Sequence, residues 1–307
     1  MHGFIPLSFT WQGFLHNDAS GSRLAVHFID VGQGDSILAE SDGHYMLIDA
    51  GENDQAGTVV SYLKAEGVTK LDYVIGTHPH SDHIGGLDKV IDTFPVDKVL
   101  LPPVEHTTRT FEDVLDSIAS RGLKITKPAP GDSYDLGNAS FTILSPVKDY
   151  GNDLNNWSVG IRLTYGDNSF VMCGDAENQA EEDIVNSGAM LKADVLKAGH
   201  HGSSTSTSDA FLKKVSPSWV VIQCGKGNSY GHPHKETMEK LKKRAARYCA
   251  RMWRGPLPHS VTARQLHGVP AAERSAAAIM PAIAPLSQAM LLIQTQAGST
   301  ARTVPLP

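Results

Sequence analysis

Residues His78-Pro79-His80-Ser81-Asp82-His83 put three imidazoles and a carboxylate into one six-residue turn, followed at once by Ile84-Gly85-Gly86. Such a density of polar ligand atoms is costly near a buried cleft unless a cation compensates it. The preceding run, Leu71 to Thr77, is β-branched and aromatic, as expected of a buried strand, so the turn sits at a strand end. His78 and His80 lie two apart and can point the same way in an extended segment, whereas Asp82 and His83 fall past the bend and face a neighbouring position. One turn can thus serve two metal ions. Gly85-Gly86 lets a helix begin close by, with Leu87, Val90 and Ile91 as its apolar face. The plainer alternative is a surface His-rich loop with incidental metal affinity.

Further donors argue against that alternative. Asp175 ends the apolar strand Phe170-Val171-Met172-Cys173-Gly174, where a carboxylate can bridge two cations roughly 3.5 to 4 Å apart. The strand from Ala193 to Ala198 delivers the pair His200-His201 into a Gly/Ser turn, and one of the two is expected to complete the second metal's ligand set. Asp49, ending the strand Tyr45 to Ile48, reads as a carboxylate behind a ligand imidazole. Gly32-Gln33-Gly34 reads as a hairpin turn able to approach the His-rich turn closely, with Asp35 beside it. In the Gly-rich loop Gly227 to His234, His232 and His234 could hydrogen-bond a phosphate or protonate a leaving alkoxide, or merely cap the next helix. Asn156 and Ser158 are neutral donors suited to a phosphate, or parts of a polar turn.

With these residues in view, the chain resembles the metallo-β-lactamase-fold superfamily, whose H-x-H-x-D-H signature is matched by His78, His80, Asp82 and His83. Residues 28–36 (Phe-Ile-Asp-Val-Gly-Gln-Gly-Asp-Ser), Asn155-Asn156-Trp157-Ser158, Cys173-Gly174-Asp175 and His200-His201-Gly202-Ser203 look like the motifs of its ComEC-type (DNA internalisation-related competence protein) hydrolase domain. The resemblance covers roughly residues 23–246. It implies a four-layer αββα sandwich of two mixed β-sheets with outer helices. It also implies two divalent metal ions, one held by His78, His80 and Asp175, the other by Asp82, His83, Asp175 and His200 rather than His201. Zn suits these donors and Mn is compatible. Many superfamily members carry a further His where this chain has Asn155-Asn156-x-Ser158, which by analogy favours a nuclease or phosphodiesterase branch.

The reaction expected is hydrolysis by a metal-bridging hydroxide, with Asp82, Asn156, Ser158 and His232 as catalytic candidates and Asp35, Asp49, His201 and His234 supporting the metals or the substrate. Single-stranded nucleic acid or a small phosphodiester is the expected substrate. The alternatives are ester or lactone hydrolysis on the same metals, or a metal-binding module without turnover.

Charge bears on the choice. Six Arg and one Glu follow residue 246, so that tail carries about +5 and the preceding residues about −11 of a total of −6. An acidic catalytic part argues against tight nonspecific duplex binding. The three cysteines, Cys173, Cys224 and Cys249, fit no disulfide framework and leave the compartment open between cytoplasm and secretion. No stretch reaches the roughly 20 apolar residues of a membrane span, so a soluble chain is expected.

Residues 1–22 have no sustained period and read as a flexible leader. Within 23–246, helices are expected near 56–66, 85–94, 111–120, 176–187, 207–215 and 234–245. Strands are expected to flank Gly32-Gln33-Gly34 and to lie near 44–48, 71–77, 98–101, 140–145, 158–165, 168–173, 194–197 and 218–224, which suits two packed sheets. After Lys243, Arg, Ala and Pro dominate and strand alternation disappears. ComEC-like domains typically end in a hairpin, and permitted codons for Arg247 to His259 read from the third base yield Val-Leu-Arg-Thr-Asp-Val-Ala-Gly-Thr-Ile-Thr-Ala, which is such a hairpin. The expectation is therefore a poorly ordered, out-of-frame tail over 247–307 that leaves a bare sheet edge, with helical propensity at Ala276 to Leu292. Sequencing the coding DNA across this segment tests the shifted frame.

Overall fold

The computed structural model describes residues 24–244, 247–251 and 260–262. The first half of the chain forms β1 (Leu24–Phe28), β2 (Ile37–Ser41), β3 (His44–Ile48), α1 (Ala56–Ala65), β4 (Leu71–Ile75), α2 (Ser81–Ile84), α3 (Leu87–Thr93), β5 (Val96–Leu100), α4 (Arg109–Ser120) and β6 (Ile125–Thr126). The second half forms β7 (Ser133–Leu136), β8 (Ala139–Ser145), β9 (Gly160–Tyr165), β10 (Asn168–Met172), α5 (Asn178–Asn186), β11 (Val195–Lys197), α6 (Asp209–Val215), β12 (Trp219–Gln223) and α7 (Lys235–Lys243). Two short strands follow, β13 (Arg247–Arg251) and β14 (Ser260–Thr262).

Both halves follow one plan. Antiparallel strands come first (β1-β2-β3; β7-β8-β9-β10), with tight turns at β2-β3, β7-β8 and β9-β10, then parallel strands reached through helices (β4-β5-β6; β11-β12-β13). The parallel strands need crossovers, and the helices that make them cover the outer faces.

Three buried clusters separate four layers. Alternate residues of β1 to β3 (Leu24, Val26, Phe28, Ile37, Ala39, Met46, Ile48) meet Phe141, Ile161, Leu163, Phe170 and Met172 of the second sheet. The residues between them (Leu38, Leu47, Val74, Val99) point outward under α1, α3 and α4. Val171, Leu196, Val220 and Ile222 do the same under α5, α6 and α7. The period of two along each strand therefore builds two cores at once. Phe141 and Phe170, both fully buried between the sheets, are the largest single contributors there, and truncating either to Ala would cost about 3–5 kcal/mol. Helix starts are set by side chains as well: Thr108 Oγ1 accepts from Phe111 N at α4, and Ser208 Oγ from Phe211 N at α6.

The fold is the αββα sandwich anticipated. The expected end at 246 is exceeded: β13 extends the second sheet parallel to β12, and β14 pairs antiparallel with β1. A sheet edge offers unpaired N–H and C=O groups to any backbone of suitable length, so pairing there does not require a strand-like side-chain pattern. The leader at 1–22 and the helical stretch Ala276 to Leu292 lie outside the described residues. Among the described residues no helix is long and apolar enough to cross a membrane.

Candidate metal centre

The chemistry-bearing residues converge because each follows the same end of a strand: Asp49 after β3, Thr77 and His78 after β4, Asp175 after β10, His200 and His201 after β11, with Gln223 closing β12. They meet at one rim of the sandwich. Gly174, at φ 52°, brings the Asp175 loop against Thr77 and Ser158 so closely that a Cβ there would lie 2.9 Å from Thr77 Cβ. Asp35 N donates to the Asp82 carbonyl (3.1 Å), which ties the Gly32-Gln33-Gly34 turn to the His-rich turn.

Two groups of donor atoms face each other. In the first, His78 Nε2 and His80 Nδ1 approach to 2.9 Å. In the second, His201 Nε2 lies 3.1 Å from Asp82 Oδ2 and 3.3 Å from Asp175 Oδ2, and His83 Nε2 lies 3.2 Å from the same Asp175 oxygen. Asp175 is thus shared by the two imidazoles, and its Oδ1 and His83 Nε2 are buried without a hydrogen bond. Orphaned buried ligand atoms of this kind are a physical mark of a cation site.

The far side of three of these four imidazoles is fixed. Asp49 accepts from Thr77 N (2.8 Å) and Thr77 Oγ1 (2.7 Å), and its Oδ2 takes the Nδ1–H of His83 (2.8 Å). Because the Thr77 hydroxyl proton is committed to Asp49, its oxygen accepts from His78 Nδ1 (3.1 Å), leaving the Nε2 lone pair of His78 pointing inward. His201 Nδ1 donates to the Gln223 carbonyl (3.1 Å), with Asp35 Oδ1 at 3.3 Å, so its Nε2 also faces the centre. Carboxylates and carbonyls on Nδ1 are the usual means of aiming a ligand nitrogen. Asp49 at φ 58°, His200 at φ 47° and His201 at φ 53° hold left-handed backbone that non-glycine residues seldom adopt, and such strain gathers at functional sites.

Charge is balanced tightly. Burial alone would raise the carboxyl of Asp82, but His83 and the hydrogen bond from His201 pull it down to about 2. Burial likewise opposes charge on His83 and His201, and Asp175 with its neighbouring carboxylates overcomes it, holding both well above the ordinary imidazole value. His78 goes the other way, well below that value, through burial and then the charge on His83. Lys197 lies fully buried beneath the centre, paired with Asp35 and donating to the Gly174 carbonyl (3.1 Å).

Not every expected residue reaches the centre. His200 Nδ1 is held by Glu177 Oε1 (3.1 Å) and its Nε2 stands 3.7 Å from the Asp175 oxygen that His201 Nε2 approaches to 3.3 Å, so His201 is the nearer of the two imidazoles to the shared carboxylate. Asn156 is spent on α5: its Oδ1 accepts from Glu177 N and Ala180 N while its amide donates to Asp153. Ser158 Oγ accepts from Asp175 N (3.0 Å) and sits 3.4 Å from His78 Nδ1, which makes it a brace between two ligand loops. Asp35 approaches the Nδ1 sides of His83 and His201 and so stands behind them. His234 is engaged at both nitrogens, by Ser204 N and the Tyr230 carbonyl. His232 lies alongside, its ring 5.4 Å from His200 and 6.1 Å from His201, with a buried, unbonded Nδ1.

Thr77, Lys197, Gln223 and His106 were not anticipated. A lysine at the end of the apolar run Val195-Leu196-Lys197-Ala198 was the signal for one of them, since an ammonium is rarely buried unpaired. His106, half-buried on the loop after β5, has its ring 6.4 Å from His80, and nothing in its sequence neighbourhood marks it.

The Metallo-beta-lactamase superfamily profile matches residues 29–225. The chain is 30% identical over 240 residues to ComE operon protein 3 of Bacillus subtilis (strain 168), covering 72% of this chain and 31% of that protein. It is 30% identical over 223 residues to Competence protein ComA of Neisseria gonorrhoeae, covering 72% of this chain and 30% of that one. The chain therefore spans about a third of the length of these curated relatives. The metallo-beta-lactamase fold protein YhfI from Bacillus subtilis overlays with a TM-score of 0.51 at 15% identity, over 78% of this chain and 99% of YhfI, a likeness of fold alone.

Proposed function

This chain belongs to the metallo-β-lactamase superfamily, and from that premise we propose that it is a binuclear metal-dependent hydrolase of phosphodiesters, with single-stranded nucleic acid as substrate. The observation that carries the reading is the pair of donor groups: His78 and His80 in one, Asp82, His83 and His201 in the other, with Asp175 Oδ2 against His83 and His201 and its charge acting on His78 and His80. These residues would hold two divalent cations, Zn or Mn, with His201 in the place first expected of His200. Bound there, the cations would activate water at neutral pH and neutralise charge developing on the phosphate oxygens.

The protein's own part is preorganisation. Thr77, Asp49 and Gln223 fix three imidazoles from behind, and Ser158 holds the Asp175 loop against His78. His232, pushed down to about 4 by burial and then by His200 and His201, is neutral at pH 7. In that state it offers a hydrogen bond to substrate rather than a spare proton. The competence-protein relatives support nucleic acid, while the acidic charge of the first 246 residues favours a second reading, a small phosphodiester or lactone on the same centre.

Protein purified without chelator, after elemental analysis, is to be assayed on single-stranded DNA and on bis(p-nitrophenyl) phosphate. Two cations per chain and cleavage of both is the expected result. Hydrolysis of the small ester alone removes nucleic acid as substrate, and a His80→Ala variant with full activity removes the metal-dependent reading altogether.

A further inference from the structure

The large apolar side chains exposed among the described residues are Ile125, Met190 and Tyr230. Tyr230 alone of these stands beside the centre. Its ring is 66% exposed and lies nearly parallel to His232, with centroids 5.6 Å apart and planes 19° apart.

An aromatic ring left in water on a loose loop would mean little, but this loop is fastened on three sides. Asn228 Oδ1 accepts from Tyr230 N (3.1 Å) and His232 N (3.0 Å), while its amide donates to the carbonyls of Gly225 and His232. Gly225 N donates to Gln33 Oε1 (3.0 Å), which joins the loop to the opposite sheet. His234 bonds the Tyr230 carbonyl through Nε2 and Ser204 N through Nδ1, which joins it to the His200-His201 turn. Tyr230 is thus a preorganised flat surface, one ring removed from the metal-facing imidazoles, with exposed Lys226 on the same loop.

We propose that Tyr230 is a specificity-determining residue that stacks on a planar base flanking the scissile phosphate, so that the centre prefers nucleotide phosphodiesters over those without a ring. The inference rests on the phosphodiesterase reading and sharpens it. The charge of the domain favours the same conclusion: with about −11 over the first 246 residues, neutralising many phosphates is a weak source of affinity, and stacking does not depend on net charge. Stacking on one ring is worth roughly tenfold or more in affinity per base.

The test compares cleavage of oligothymidylate with cleavage of an abasic oligonucleotide of the same length, by wild type, Tyr230→Ala and Tyr230→Trp, all metal-loaded. Wild type is expected to show a lower KM for oligothymidylate than for the abasic strand. Tyr230→Ala is expected to shrink that ratio about tenfold, and Tyr230→Trp to keep it. Binding of fluorescent oligothymidylate in the presence of chelator should follow the same order and change little between low and moderate salt. An unchanged ratio in Tyr230→Ala, or a loss in Tyr230→Trp equal to that in Tyr230→Ala, overturns stacking while leaving the phosphodiesterase reading standing. Failure of wild type to cut either strand while it hydrolyses bis(p-nitrophenyl) phosphate ends stacking and nucleic acid as substrate, and failure on all three ends the phosphodiesterase reading as well.

Discussion

The turn after β4 and the turn after β11 do the same job by different means. In the first, His78 and His80 flank a proline where the chain bends after β4, their rings converge, and His83 arrives about one helical turn later from α2. Spacing dictates direction there. In the second, the adjacent His200 and His201 both occupy left-handed backbone, His201 backed by the Gln223 carbonyl and His200 by Glu177, and His201 Nε2 comes nearer to the shared carboxylate. Regular backbone makes a ligand readable from its position. Strained backbone does not.

The contrast can be broken most severely at the residue both turns share. Asp175→Ala should cost roughly a thousandfold in kcat/KM and lower the metal content, because one buried Asp175 oxygen lies against both His83 and His201. Next, His201→Ala should reduce bound metal from two cations per chain to one by elemental analysis, while His200→Ala retains two; the opposite pattern would restore the first assignment. Asp49→Asn removes the acceptor behind His83 and should weaken metal binding about 10–100-fold in a competition titration.

The pH behaviour of metal-free protein separates the turns more gently. His83 and His201 have folded values well above the ordinary 6.5, so their paired imidazolium forms stabilise the fold fully below that pH, and this contribution is lost as pH rises through the raised values. Melting of chelator-treated protein should therefore fall as pH rises above 6.5, and metal uptake should strengthen in the same direction as protons leave. Flat melting above that pH would contradict it. The smallest effect is expected at Asn156→Ala: a loss of about 1–2 kcal/mol in denaturant melts from the uncapped α5, with turnover per folded molecule retained.

Much of the sandwich could be read from the chain because strands buried on both faces are continuous apolar runs, and their ends carry Gly, Asp and His. Asp49 was legible as a supporting carboxylate because it closes such a run. Asn156 was not, since a helix cap and a substrate donor have the same composition, and only the amides of Glu177 and Ala180 distinguish them. Asp35 reads as a supporting residue beside its glycine turn, and its place behind the imidazoles depends on the pairing of Asp35 N with the Asp82 carbonyl, a contact across 47 residues. The strands β13 and β14 escaped notice because edge pairing draws on backbone groups rather than on pattern.

Lys197 has a consequence for the charge balance of the centre. Many small metal sites are cages of like charge that collapse or swell when emptied. Here an ammonium sealed under the carboxylates carries a share of the positive charge covalently, with Asp35 as its fixed counterion. The carboxylates around Lys197 are therefore part-neutralised by the chain itself, whatever else comes to sit above them.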